Sequence, residues 1–237
     1  MSEAPQAGPA APPSLAPAPA PARHHKSLAR ECFEALVVAL IVTLFLRAFV
    51  VQAFQIPSVS MEPSLLVGDR LFVDKVVYSQ SLGPLEAALF GKRPVARGDV
   101  VVFKFPGDPS RNFVKRVVGL PGEAVEVRGR TVLVDGRPLE EPYARFLGEG
   151  LPAEHPLLGL GGGRALERWG PRVVPDGHVF VLGDNRDRSN DARYWGFLAL
   201  DQVEGRPLVV YWSSDGQAPL PGGLARPRWE RLFHMVR

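Results

Sequence analysis

The sequence is poor in groups that could cross-link a fold or bind a polyanion. Cys32 is the one cysteine among 237 residues, so an intramolecular disulfide is excluded and any folded domain must be stabilised by its own core. The 28 basic and 25 acidic side chains leave a net charge of only +3, and the basic residues are not gathered into a stripe with interleaved aromatic residues. Nucleic acid is therefore not an expected partner.

Long apolar runs and internal repeats are also missing. The main apolar segment, ALVVALIVTLFL at 35–46, is shorter than the roughly 20 residues that a membrane-spanning helix needs. The chain instead contains 24 glycines and 24 prolines, and this density of helix-breaking residues argues against a helical bundle. One substantial domain rich in strands and turns fits the composition better.

The N-terminal part divides into a low-complexity tail and an apolar segment. Residues 1–29 are rich in Pro and Ala and end in a basic cluster. They predict a disordered tail, because so few apolar side chains cannot offset the entropy lost on ordering. Residues 30–54 reach the length of a spanning helix only if Glu34 and Arg47 lie near the two membrane interfaces.

Three interpretations of the 30–54 segment compete: a cleaved secretory signal, a buried core helix and an uncleaved membrane anchor. No small-x-small cleavage site follows the apolar run directly, which argues against a cleaved signal. The basic flank before the run favours a single-pass anchor in the lipid bilayer of the cytoplasmic membrane, with a cytoplasmic N-terminus. Residues 55–237 then form an extracytoplasmic domain, with Phe54 and Ile56 expected to lie against the bilayer.

The remainder of the chain has the pattern of an antiparallel β domain. Short Val-rich runs bounded by Gly, Pro or Asp recur along it. They predict strands at 70–78, 99–105, 112–118, 124–129, 131–136, 178–183 and 207–213. Residues 143–175 interrupt the series and are expected to form a small excursion or loop. The predicted fold class is mainly β, an antiparallel β-sheet domain preceded by one N-terminal transmembrane helix.

The segment QIPSVSMEPSLLVGDR at 55–70 carries three serines, more than a turn or a helix cap requires. A serine hydroxyl becomes a good nucleophile only when a base takes its proton. None of the five histidines stands in a motif with a partner, so a Ser/His/Asp site is poorly supported. Lys115 is an alternative base. On a strand it shares a face with Phe113 and Val117, where desolvation would lower its pKa.

Less specific interpretations of these residues also exist. The serines could form an ordinary turn, and Lys115 could face the solvent. Asp184, Asp187 and Asp191 could belong to a calcium loop, but the Gly and Glu expected at the sixth and twelfth positions of such a loop are missing. The sequence therefore predicts neither a metal site nor a cofactor.

Three segments together resemble the signature blocks of one enzyme family. They are PSVSMEPSLLVGD at 57–69, RGDVVVFKFP with FVKRVVGLPGE within 97–123, and GDNRDRSNDARYWG at 183–196. In this order, after an apolar segment, they resemble the type I signal peptidases, the membrane-anchored Ser/Lys endopeptidases of bacteria. The resemblance covers residues 30–237. It implies a serine endopeptidase that removes signal peptides from exported preproteins after a small-x-small motif, without a cofactor.

The resemblance assigns roles within the first two blocks. Ser60 matches the nucleophile, and Lys115 matches the general base that takes its proton. The Ser60 backbone N–H and the Ser58 hydroxyl match the donors that stabilise the oxyanion. Ser64 occupies a position where the family usually has Thr, and its hydroxyl is expected to support the turn.

The third block carries the supporting residues. Ser189 matches a residue whose hydroxyl orients the lysine amine, and Asp191 and Arg193 match a salt bridge beside the site. Arg188 and Ala192 depart from the Asn and the Ser that are usual in the family. The loss of the second hydroxyl is expected to alter the support around the lysine while leaving Ser189 available.

Two other functions agree with parts of this pattern. Self-cleaving cytosolic regulators also use a Ser/Lys pair, but no DNA-binding segment accompanies the pair here. Outside the enzymes, the alternative is a membrane-anchored β scaffold that has lost catalysis. The joint presence of Ser60, Lys115 and Ser189 argues against that alternative, because an inactive relative would be free to lose one of them.

Overall fold

The structure is a computed structural model that describes residues 27–45, 51–78, 93–147, 168–219 and 225–236. The chain separates into two compact units, residues 1–42 and 43–237. The predicted disordered tail, 1–29, lies outside the described residues except for its last three positions.

Helix α1, Leu28–Phe45, covers most of the predicted anchor. It begins after Ser27, whose carbonyl accepts hydrogen bonds from the N–H groups of Arg30 and Glu31. Arg30 and Glu34 form an ion pair at 2.8 Å across its first turns, and its apolar side chains are largely exposed. Within the described ranges, no helix is both long enough and apolar enough to cross a membrane.

The described chain after α1 consists mainly of strands. In order they are β1 (Val51–Gln55), β2 (Asp69–Asp74), β3 (Val100–Phe105), β4 (Asp108–Gly119), β5 (Ala124–Arg128), β6 (Thr131–Val134), β7 (Arg137–Pro138), β8 (Arg168–Val173), β9 (His178–Leu182), β10 (Leu198–Ala199), β11 (Val203–Pro219), β12 (Ala225–Pro227) and β13 (His234–Met235). A short helix, α2 (Ala192–Trp195), lies between β9 and β10.

The strands form two antiparallel sheets. The larger sheet has the order β1-β2-β11-β3-β4-β9-β10, with β12 and β13 paired to β11, and the smaller has the order β7-β6-β5-β8. Each of the seven predicted strands overlaps an observed one. The predicted class, a mainly antiparallel β protein, is therefore confirmed.

Two segments differ from the prediction. Residues 51–54, expected at the end of the anchor, belong to β1, which pairs with β2 so that Phe54 lies opposite Leu71. This ladder satisfies backbone groups that a helix would have bonded internally. Residues 168–173, expected in the excursion, form β8 on the edge of β5, and residues 148–167 lie outside the described part of the chain.

Two hydrophobic clusters form the core. The first joins the two sheets around Phe103 and Trp169, and the second contains Ile56, Met61 and Leu65 from the serine segment. Burial of each such side chain contributes about 1.5–3 kcal/mol, so the segment is anchored on both sides of its central serine. The expectation that Ile56 lies against a bilayer is wrong, because its side chain is only 2% exposed and packs in this core.

Candidate active site

Ser60 lies in a single turn of 3-10 helix, Val59–Met61, between β1 and β2. Met61 beside it is buried in the second core cluster, and Ser60 itself is 7% exposed. The Ser60 carbonyl accepts a hydrogen bond from the Asn185 N–H at 3.1 Å. Packing on one side and this hydrogen bond on the other fix the backbone that carries the Ser60 hydroxyl.

Lys115 of β4 reaches that hydroxyl. Its Nζ donates to Ser60 Oγ at 2.8 Å and to the Val114 carbonyl at 2.9 Å. The amine also lies 5.2 Å from the centre of the Phe113 ring, on the strand face that the two residues share. The structure thus brings together the two residues that the sequence indicates as nucleophile and base.

The surroundings of Lys115 favour the neutral amine. Its side chain is 3% exposed, and burial lowers its pKa to about 8, although the carboxylates of Asp191 and Asp184 partly oppose this. The Arg193 guanidinium also acts to lower it. A lysine with this pKa is neutral in a useful fraction of molecules near neutral pH, whereas a free lysine is not. Lys115 can therefore accept the Ser60 proton.

Ser58 lies next to the candidate nucleophile. Its Oγ is 3.3 Å from the Ser60 Oγ, and either hydroxyl can be the donor. The residue is exposed and has an extended backbone, with φ −133° and ψ 155°. Its hydroxyl is thus close to the oxygen that attacks, and its role as an oxyanion donor stays a prediction.

Ser189 is buried beside the pair without a hydrogen bond to the lysine amine. It is 1% exposed, and its hydroxyl has no hydrogen-bond partner in the described part of the chain, although it contributes to a lowered pKa at Asp191. A Cβ added at Gly183 would lie 2.2 Å from the Ser189 Oγ and 2.5 Å from the Ser60 carbonyl oxygen. Gly183 therefore lets the two serines approach, and the orienting role of Ser189 stays a prediction.

Asp191 and Arg193 form a buried salt bridge, as the resemblance implies. Arg193 donates from Nε and Nη2 to the two Asp191 carboxylate oxygens at 2.8 and 2.9 Å, and the Gly183 N–H donates to the same carboxylate at 3.1 Å. Burial raises the pKa of Asp191, but the charge and hydrogen bonds of Arg193, together with the hydrogen bond from Gly183, outweigh it, and the pKa lies below its usual range. The pair holds the 183–191 loop in a defined geometry.

A second buried ion pair connects the three sequence blocks. Arg116, next to Lys115, donates from Nε and Nη2 to the two Asp184 oxygens at 2.8 and 2.7 Å. Ser64 donates to the same carboxylate at 2.5 Å, so its hydroxyl joins the first block to the third. Sequence reasoning missed this pair because its partners are 68 positions apart and strand alternation did not indicate which face of β4 is buried. The one indication in the sequence was that Arg116 and Asp184 each lie inside a block that resembles the family.

The acidic residues of the third block have separate partners. The Asp187 carboxylate accepts from the Leu147 N–H at 2.6 Å, whereas Asp184 and Asp191 are bound to the two arginines described above. Among the residues that the structure describes, no three His, Cys, Asp or Glu side chains are grouped so that they could hold a metal ion.

Comparison with known proteins identifies relatives of this chain. The profile of the family described as "Signal peptidase, peptidase S26" matches residues 29–212. The signal peptidase I of Leptolyngbya laminosa is 36% identical in an alignment of 189 positions that covers 77% of this chain and 79% of that protein. The signal peptidase I of Pseudomonas fluorescens is 41% identical over 201 residues, with coverage of 73% and 69%. A solved structure of a signal peptidase I from Enterococcus faecalis V583 is 35% identical and covers 48% of this chain and 97% of that one, with a TM-score of 0.36.

These matches identify the class first: the protein is a peptidase, with a buried serine and lysine in contact. More particularly, the chain belongs to the signal peptidase family, peptidase S26, and the relatives named above are signal peptidase I enzymes. The family expected from the three sequence blocks is confirmed.

Proposed function

We propose that this protein is a membrane-anchored serine endopeptidase that removes N-terminal signal peptides from exported preproteins after a small-x-small motif. The observation that carries the proposal is the 2.8 Å contact between Lys115 Nζ and Ser60 Oγ. A buried amine whose pKa is lowered to about 8, in contact with a serine hydroxyl, has the properties that a Ser/Lys dyad needs.

In the first half of the reaction, neutral Lys115 takes the Ser60 proton while Ser60 Oγ attacks the scissile carbonyl carbon. The new C–O bond leaves an oxyanion, which the Ser60 N–H and the Ser58 hydroxyl stabilise. Protonated Lys115 then gives its proton to the leaving amine as the C–N bond breaks. The mature protein departs and the signal peptide remains on Ser60 as an ester.

In the second half, water attacks the ester and Lys115 takes a proton from that water. The proton returns to Ser60 Oγ as the ester bond breaks, which releases the signal peptide as a carboxylic acid and regenerates the dyad. Both halves need the same short distance between amine and hydroxyl. The ion pairs of the 183–191 loop support this geometry, since small displacements of reacting groups are costly in rate.

The preprotein is expected to bind in extended form beside β1 and residues 55–60. Strand β1 stands at the end of the larger sheet's path in the described structure, so an extended peptide can add to its open edge. Alternate side chains of an extended peptide point in the same direction. This agrees with a requirement for small residues at the first and third positions before the cut.

Anchoring in a bilayer is supported by charge and by exposed apolar surface. The basic residues before α1 favour a cytoplasmic N-terminus, and the apolar side chains of α1 are mostly exposed. In the catalytic domain, Phe72 lies opposite Ala53 of β1, and Phe72, Phe233 and Met235 are exposed. Apolar surface of this kind fits contact with lipid, so we infer that this face, and not Ile56, meets the membrane.

Substitution of each dyad residue tests the proposal. Ser60→Ala and Lys115→Met should each reduce kcat for a small-x-small peptide by at least about 1,000-fold, because the two groups act as a unit. Ser110→Ala and Lys104→Met are matched controls at exposed positions, and both should keep wild-type turnover. Near-normal turnover by either dyad variant, with an unchanged circular dichroism spectrum, would contradict the mechanism.

A further inference from the structure

The segment after β7, residues 141–147, runs across the 183–191 loop, and we call it the strap. The backbone N–H and the backbone carbonyl of Arg145 are both hydrogen-bonded to the loop. The Arg145 N–H donates to the Asp184 carbonyl at 2.7 Å, and the Arg145 carbonyl accepts from the Arg186 N–H at 2.9 Å. The strap thus borders the loop in the manner of a short additional strand.

Glu141, at the start of the strap, holds Arg186 of the loop in a buried bidentate ion pair. Arg186 donates from Nη1 and Nη2 to the two Glu141 oxygens at 2.9 and 2.5 Å, and the two side chains are 3% and 6% exposed, respectively. Arg186 Nε also donates to the Gly183 carbonyl at 3.1 Å, and the Arg186 carbonyl accepts from Arg193 Nη2 at 2.6 Å. One guanidinium therefore links the strap to the start of the loop.

The loop in turn touches the backbone of Ser60. The Asn185 N–H donates to the Ser60 carbonyl, and a Cβ on Gly183 would lie 2.5 Å from that same carbonyl oxygen. Gly183 follows β9, which pairs with β4 directly beside Lys115. A displacement of the loop would consequently move the nucleophile relative to the base.

Two aromatic side chains of the strap cover the charged groups that hold the loop. The Tyr143 ring centre lies 4.0 Å from the Arg116 guanidinium carbon, and the Phe146 ring centre lies 5.9 Å from that of Arg186. Arg116 is itself bound to Asp184 of the loop. Cation–π contacts of this kind are attractive at such distances, so the strap is attached to the loop at two charged points.

We propose that Glu141 is a positioning residue of the active site, which acts through Arg186 to keep the 183–191 loop against Ser60. The inference rests on the proposed Ser/Lys dyad and adds a residue outside the three blocks that revealed it. A bidentate carboxylate–guanidinium pair fixes direction as well as distance. A buried ion pair contributes less to net stability than to a defined geometry. For the 183–191 loop, the defined geometry is what the placement of Ser60 requires.

The test compares two substitutions of Glu141 with a matched control. We expect kcat for a small-x-small peptide to fall about 10-fold in Glu141→Gln, which keeps one acceptor for Arg186, and about 100-fold in Glu141→Ala. KM should stay within about twofold, because the strap acts on the dyad and not on the peptide. Glu126→Gln weakens a bidentate pair with Arg128 in the smaller sheet, a pair that differs in having a 58% exposed arginine, and it should leave kcat unchanged.

A second measurement separates positioning from peptide binding. A small fluorophosphonate phosphonylates an activated serine, forming an Oγ–P bond as fluoride leaves, without occupying a peptide site, so its rate of reaction with Ser60 should fall by the same factors as kcat. All assays are made on the full chain in detergent, well below the unfolding temperature of each variant.

Several results would overturn the inference. Wild-type kcat in folded Glu141→Ala would do so, as would a raised KM with unchanged kcat. Failure of both Glu141 variants to fold would also count against it, because the ion pair would then serve the fold and not the placement of the loop. Ser60→Ala, measured alongside, separates this failure from that of the dyad. Cleavage by Ser60→Ala refutes the dyad, whereas an inactive Ser60→Ala beside a fully active Glu141→Ala refutes the positioning role alone.

Discussion

Lys115 combines a buried position with a titratable group, and we expect its protonation to affect both rate and stability. The residue is 3% exposed, and burial lowers its pKa from 10.5 to about 8. Carboxylates of Asp191 and Asp184 oppose the shift without cancelling it. The same desolvation that makes the amine a usable base therefore penalises its protonated form in the folded protein.

The catalytic rate should follow the deprotonation of Lys115. We expect kcat/KM to rise with pH through an apparent pKa of about 8, with roughly tenfold gain per pH unit below that value, since only the neutral amine accepts the Ser60 proton. The measurement is a pH profile of kcat/KM with a small-x-small peptide. A rising limb near 10.5, the usual value for lysine, would mean that the base is a solvated amine.

The stability of the protein should follow the same proton in a predictable direction. The folded pKa, about 8, lies below the unfolded value of 10.5, so the unfolded chain binds more protons between these values and stability rises with pH across that window. Below pH 8 the whole penalty is present, and it corresponds to about 3 kcal/mol. Lys115→Met should therefore be more stable than wild type at pH 6.5, by up to about 3 kcal/mol, while being inactive.

Urea unfolding at pH 6.5 and pH 10 checks this expectation. The advantage of Lys115→Met should shrink at the higher pH, where the lysine is largely neutral in the folded protein. Lys104→Met provides the control, because Lys104 is 54% exposed and its replacement should show little dependence on pH. An advantage for Lys115→Met that is equal at both pH values would indicate an improvement in packing unrelated to charge.

Among the elements, the 183–191 loop has the densest set of buried polar contacts in the site. It binds Ser60 through Asn185, and it carries Asp184 and Asp191, whose ion pairs are described above. A loop with this many charge-assisted hydrogen bonds has few alternative positions. The placement of the dyad is accordingly a property of the loop and the strand β4 together.

Gly183→Ala tests the fit of this loop. The added methyl group would lie 2.5 Å from the Ser60 carbonyl oxygen and 2.2 Å from the Ser189 Oγ, so the backbone has to shift. Because a displacement of about 1 Å can cost 100-fold in rate, we expect kcat to fall by about that factor in the folded variant. Steady-state kinetics with a small-x-small peptide measure it.

Gly205→Ala is the matched control for that substitution. Its added methyl group would lie 2.2 Å from the Asp74 carbonyl oxygen, a comparable clash with backbone between β11 and β2. We expect this variant to lose stability while its folded fraction keeps wild-type kcat. Equal losses of kcat in Gly183→Ala and Gly205→Ala would show that strain anywhere in the domain, and not the fit beside Ser60, limits the rate.

For the whole molecule, the proposed function requires one particular orientation across a membrane. The basic cluster at the N-terminal end of the apolar segment, with Arg23, Lys26 and Arg30, predicts that the N-terminus stays in the cytoplasm and that the β domain is exported. We expect an alkaline phosphatase fused after Arg237 to be active, because that reporter is active only after export from the cytoplasm. A fluorescent protein that folds only in the cytoplasm should be dark at the same position.

The reciprocal fusion is the control for orientation. A cytoplasmic reporter placed before Met1 should fluoresce, and alkaline phosphatase placed there should be inactive. The opposite pattern at both ends would reverse the proposed topology and leave the enzyme on the side of the membrane where signal peptides are not released.

The sequence by itself determined the strand-rich class and indicated Ser60 and Lys115, the two residues that the structure brings into contact. Val-rich runs between Gly and Pro indicate strands through local propensity, and local propensity acts within a few neighbouring residues. Ser60 and Lys115 could be named because each lies inside a distinctive block of sequence. The same locality explains the error at residues 51–54, where the mostly apolar sequence VQAF looks like the end of an anchor until β2 pairs with it.

Only the tertiary structure decided which groups these residues meet. Both faces of β4 are buried at Lys115 and Arg116, a result that alternation along one strand cannot predict. The contacts of Arg116 with Asp184 and of Arg186 with Glu141 join positions 68 and 45 residues apart. The packing of two sheets around a shared core determines which charged groups become partners. An isolated charge becomes costly only when that packing removes its hydrating water.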